Sequence, residues 1–168
     1  MSLILFSGEK QTGKSTFLYN KFSLNKNVGG IVCLERNNQR QIVDLQFNQF
    51  YIHEVHFSSV EECETIGRFT FLKSSFLIGA TIINNSILKN KLTIIDEWGL
   101  LEESNRGLMP HISDAVVQTS KSINTHILLV IRPSLVEMFR SKYISEHNII
   151  LPVFGRENVG SFLDPLMY

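Results

Sequence analysis

Apolar residues crowd the start of the chain in "SLILFS" (residues 2–7) and stop at Gly8, a run of strand length closed by a turn residue. Beyond it the period changes. Phe17, Leu18 and Phe22 share one face of a helix predicted over Lys14 to Phe22. The stretches 28–35, 40–47, 51–57 and 66–72 are β-rich and separated by short polar turns, which predicts an antiparallel meander of four strands. Residues 74–90 carry Phe76, Leu77, Ala80, Ile83, Ile87 and Leu88 at helical spacing. "KLTIIDE" (91–97) reads as a buried strand, followed by a loop to Pro110. A helix (112–123), a strand (125–132), a helix (134–143) and a strand (147–154) complete the pattern. Apolar strands alternating with helices at both ends imply an α/β fold. Its mostly parallel central sheet is covered on both faces, and the meander extends it.

With 168 residues, no long linker and no internal repeat, the chain reads as a single domain, 1–168. Sixteen basic and sixteen acidic residues balance, so no basic excess points to nucleic acid or to an anionic membrane. No apolar run is long enough to span a bilayer, and "MSLILFSG" lacks the basic leader of a signal peptide. Cys33 and Cys63 form no C-x-x-C pair and read as free thiols in a reducing compartment. The expected location is the cytoplasm. The oligomeric state is left open, with a monomer favoured.

The candidate chemistry sits between the first strand and the first helix. Gly8-Glu9-Lys10-Gln11-Thr12-Gly13-Lys14-Ser15 fits G-x-x-x-x-G-K-[ST], the Walker A pattern, at every fixed position. Glycines let the backbone fold so that successive N–H groups point at phosphate oxygens, and the positive end of the following helix adds to the field. Lys14 would reach the β- and γ-phosphates, Ser15 would ligate Mg²⁺, and Thr16 would add a donor near the α-phosphate.

Such a loop needs an acidic partner, usually at the end of another buried strand. "LTIIDEWG" supplies Asp96 as the metal-side carboxylate (Walker B) and Glu97 as the carboxylate that would orient and deprotonate a water. An acidic pair in this position favours hydrolysis over simple binding.

Several motifs in order, covering nearly the whole chain, resemble the small nucleoside-triphosphatase family sometimes called cancer-related nucleoside triphosphatases. They are the phosphate loop, then Gly30, Glu35, Arg36 and Arg40 in "GGIVCLERNNQR", Gly67, Arg68 and Phe69 in "IGRFTFLKSSF", "DEWGLLE" from Asp96 to Glu102, and "HILLVIR" ending at Arg132. The resemblance implies a RecA-like P-loop core and Mg²⁺-dependent, often slow hydrolysis of nucleoside triphosphates with broad base tolerance. The loop lacks that family's extra mid-loop glycine, and Trp98 stands where Ile is usual.

Arg132 is open to two readings, an in-chain arginine finger on the γ-phosphate or a surface charge at a strand end. Arg36, Arg40 and Arg68 are open to two readings, lining the nucleotide cleft or, the favoured one, surface or salt-bridged residues. Trp98 reads as a packing residue over stacking on a base, and Glu102 as a group that fixes its loop. His53 and His56 do not form a zinc signature. Hydrolysis leads two alternatives: a small-molecule or nucleotide kinase, for which no arginine-rich lid is evident, and a nucleotide-dependent switch acting through a protein partner.

Overall fold

A computed structural model describes residues 3–56, 62–109, 111, 125–147 and 153–167; the side chains of Glu97, of 143–147 and of several residues beyond 152 lie outside that description. Nine strands are described: β1 (Leu3–Ser7), β2 (Val28–Arg36), β3 (Gln39–Asp44), β4 (Gln49–Ile52), β5 (Cys63–Ile66), β6 (Phe69–Leu72), β7 (Leu92–Trp98), β8 (His126–Ile131) and β9 (Val153–Phe154). The α-helices whose bounds lie among the described residues are α1 (Lys14–Phe22), α2 (Lys73–Lys89), α3 (Leu100–Glu103), α4 (Val136–His147) and α5 (Arg156–Leu163).

Seven strands form one sheet in the order β4-β3-β2-β7-β8-β1-β9, and β5-β6 form a separate hairpin. From β2 to β9 every neighbouring pair is parallel; β3 and β4 add on antiparallel beside β2. β1 shows why the apolar runs are continuous. Leu3 and Leu5 enter the core on one face of the sheet, and Ile4 and Phe6 enter the core on the other. A strand covered on both faces cannot alternate with polar residues, and each such side chain contributes about 1.5–3 kcal/mol on burial. Leu18 and Phe22 of α1 cover the Ile4–Phe6 face. Phe76, Ile83 and Ile87 of α2 cover the other.

The meander is shorter than its pattern suggests. The Arg40 carbonyl accepts from both His53 and Glu54 N–H at 3.0 Å, which ends the β3–β4 ladder, so the strand expected over 51–57 stops at Ile52. The chain then turns to β6: Val55 N–H donates to Thr70, Leu72 N–H donates to His53, and Glu54 bridges Phe71. Residues 66–72, expected as one strand, bend at Gly67, where φ is +58°, to make the β5–β6 hairpin. The expected loop after β7 contains α3. Leu77 and Leu88, placed by periodicity on the buried stripe of α2, are exposed. His147, expected to open the last strand, lies in α4; the helix expected over 112–123 lies outside the described residues.

Candidate functional site

The phosphate-loop residues connect β1 to α1 as the sequence predicts. Gln11 and Gly13 take positive φ, +62° and +78°, and Gly13 caps α1 in the left-handed conformation. The turn ends where the helix N–H groups lack intrahelical partners, so donors converge there. Lys14 folds back across the loop. Its Nζ donates to the carbonyls of Gly8 (2.7 Å) and Glu9 (2.6 Å) and lies 3.3 Å from Thr12 Oγ1. A Cβ on Gly8 would lie 3.4 Å from Lys14 Cδ, ordinary contact, so the lysine stem packs against this turn without crowding it. Burial lowers the Lys14 pKa from 10.5; Asp96 and Glu9 pull it up, and Arg132 pulls it down.

Sheet order explains how these groups meet. β8 lies between β1 and β7, so its carboxyl end, followed by Arg132, sits between the phosphate loop and the strand that carries Asp96. Ligands of open α/β sheets bind at this edge. Lys14, Ser15, Asp96 and Arg132 all line one cleft of about 330 Å³. Thr12, Gly13 and Thr16 line a smaller adjoining hollow of about 190 Å³, shared with Lys10, Gln11, Lys14 and Ser15. Glu9 is exposed on the loop.

Asp96 is 1% exposed, and its Oδ2 accepts the Cys33 backbone N–H at 3.0 Å. A hard cation of the Mg²⁺ kind takes oxygen ligands and needs only one or two from protein when phosphates and waters supply the rest. A serine hydroxyl and a carboxylate in one cleft fit that demand. Among the described residues, no group of three or more His, Cys, Asp or Glu side chains could hold a metal unaided.

A β-bulge at the acidic pair was not legible in the sequence. Ile95 pairs with Leu129 and Trp98 with Ile131, so Asp96 and Glu97 together oppose Val130. An extra residue reverses the inward and outward alternation beyond it. Trp98 therefore joins Ile95 in the same core cluster, three positions away. It packs edge-on against Phe139 at 4.8 Å, as a packing role requires. Glu97 lies within the bulge; its side chain is outside the described residues.

Two further features stand out. Glu102 is buried, and its carboxylate accepts from the N–H groups of Gly99 (3.0 Å) and Leu108 (3.2 Å), clasping the segment that follows the acidic pair. Burial raises its pKa. Arg40, read from sequence as a surface or salt-bridged residue, pairs with Glu54 at 3.6 Å and also lines the cleft. Its position follows from β3 pairing with β2, the first hairpin of the expected meander; that this hairpin borders the cleft is what no local signal reveals.

A model of a family described as NTPase matches residues 3–153. No curated protein sequence matches the chain. The fold is similar to that of THEP1 from the hyperthermophile Aquifex aeolicus, at 20% identity over 99% of this chain and 96% of that one, TM-score 0.70. A human cancer-related nucleoside triphosphatase is similar at 19% identity over 99% and 95%, TM-score 0.67.

Proposed function

The chain belongs to the NTPase family, and on that premise we propose that this nucleoside triphosphatase works with Mg²⁺, slowly and with broad base tolerance, releasing nucleoside diphosphate and phosphate. The observation that carries the reading is the joint placement of Lys14, Ser15, Asp96 and Arg132 around one cleft at the carboxyl edge of the sheet.

The backbone from Gly8 to Gly13 would wrap the phosphates, and Thr16 would add a donor at the α-phosphate. Lys14 would exchange its two loop carbonyls for the β- and γ-phosphate oxygens, which offer a stronger charge-assisted partner. Ser15 and Asp96 would hold Mg²⁺, which when bound neutralises charge on the β- and γ-oxygens. Glu97 would take the proton from the attacking water, and Arg132 would meet charge developing on the γ-phosphate. All of residues 1–168 would form the one domain that does this.

Phosphate release from ATP, GTP, CTP and UTP, with Mg²⁺ and with EDTA, tests the assignment in wild type, Lys14→Ala and Glu97→Gln. Wild type should hydrolyse several triphosphates only with Mg²⁺, and Glu97→Gln should bind nucleotide yet stall. Hydrolysis by Glu97→Gln at the wild-type rate would remove the water-activating role. Complete absence of release by wild type over long incubation would sink the function.

A further inference from the structure

The cleft continues past the phosphate-loop groups into a chamber walled by Ile42, Phe69, Phe71 and Phe76, with His53 at its side. The phosphate loop has little use for such a wall. Thr16, the donor read onto the α-phosphate, does not line this chamber's cleft, whereas Lys14, Asp96 and Arg132, the γ-phosphate side, do. A triphosphate seated on the loop would therefore meet the chamber at its γ end and leave its own base elsewhere.

The chamber's polar groups define what it would take. Ser75 donates its hydroxyl proton to the Leu72 carbonyl at 2.6 Å, so it accepts from His53 Nδ1–H, also at 2.6 Å. His53 Nε2 is thereby left as an unprotonated acceptor on a ring that stands 4.6 Å from Phe71 and 4.9 Å from Phe76. An acceptor among aromatic rings calls for a flat ligand with an N–H donor. Three cations surround the ring of Phe69: Lys10 at 5.4 Å and Arg40 at 5.1 Å, which line the cleft, and Arg68 at 5.1 Å, on the exposed turn beside it. They come from the phosphate loop, β3 and the β5–β6 turn, so no sequence window shows them as a cluster. Their charge suits an anionic group.

We propose that this chamber is a second binding site, beside the triphosphate's seat and sharing Lys10 with the phosphate loop, for a heteroaromatic anion of the nucleoside monophosphate class. The base lies among Phe69, Phe71 and Phe76 and donates to His53 Nε2, and the phosphate meets Lys10, Arg40 and Arg68. The site rests on the reading of the phosphate loop as the seat of the triphosphate.

The test uses the full chain with Mg²⁺ and a non-hydrolysable ATP analogue at saturation. AMP, GMP, CMP and UMP are titrated in by calorimetry, with the emission of Trp98, the chain's single tryptophan and a cleft residue, as a local reporter. At least one monophosphate should bind saturably beside the analogue. Phe69→Ala, which removes a stacking face, should weaken it roughly tenfold. Arg68→Ala, at an exposed turn where folding is not at risk, should weaken it too, with the analogue's affinity unchanged in both variants. Displacement of the analogue by the monophosphates, or no saturable binding of any of the four, overturns the second site. Failure of the analogue itself to bind overturns the phosphate-loop reading and this site with it.

Discussion

The backbone N–H of Cys33 donates to Asp96 Oδ2 at 3.0 Å, across two strands that run parallel from Val28 and Leu92. A carboxylate this deeply buried needs such a donor, and the bond fixes where the Asp96 group stands at the sheet edge. Asp96→Asn keeps the size and an acceptor oxygen but loses the charge. It should fold with little loss of stability and need roughly tenfold more Mg²⁺ for half-maximal phosphate release. An unchanged Mg²⁺ requirement would remove Asp96 from the metal site.

Gly30 on β2 takes φ +92° and faces Ile94 of β7 so closely that an added Cβ would collide with the Ile94 carbonyl and approach its N at 2.7 Å. Both neighbours are backbone, so nothing can swing aside. Gly30→Ala should cost about 3 kcal/mol or more, since left-handed backbone strain adds to the clash. Denaturant unfolding would show it as a lower midpoint with an unchanged slope. A variant as stable as wild type would mean that β2 and β7 can part without cost.

The sequence made the strand–loop–helix unit legible to the residue at α1, because a glycine-bounded loop between an apolar run and an amphipathic stretch leaves few alternatives. Asp96 was legible for the same reason, as the polar end of an apolar strand. The hairpin at Gly67 and the early end of β4 were not. The first depends on Gly67 taking φ +58° between two short paired strands, the second on the Arg40 carbonyl receiving two N–H groups from a strand brought beside it by the fold. The bulge at Asp96–Glu97 left only one trace, an indole at a position whose parity matched Asp96 rather than Ile95.

Glu102 offers a test of the clasp over the acidic pair. Its folded pKa is raised above 4.5, so its neutral form is the one that the fold favours. Stability from this group is fully present below pH 4.5 and is lost as pH rises through the raised folded value. Both carboxyl oxygens accept a backbone N–H, whereas an amide offers one acceptor and two donors, so Glu102→Gln should lose one of the two bonds and start below wild type at low pH. The variant should then gain on wild type as pH rises, in paired urea midpoints. A gap that does not move with pH would show that burial does not govern this carboxyl.

His53 carries the opposite sign. It is 4% exposed between Phe71 and Phe76, and burial first, then the Arg40 charge, pushes its pKa down to about 3. Unfolded, the imidazole titrates near 6.5, so between these values the unfolded chain binds a proton that the folded chain refuses. The stability from neutral His53 is complete above pH 6.5 and is lost as pH falls toward 3. The loss is on the order of a few kcal/mol across that window. Carboxylates elsewhere titrate in part of the same range, so the informative quantity is the difference between wild type and His53→Gln, which has no proton to gain there. Urea midpoints at pH 7 and pH 4 should converge or cross, with wild type falling further than the variant. Parallel loss in both proteins would mean that the ring accepts its proton while folded, which requires the Phe71–Phe76 wall to open.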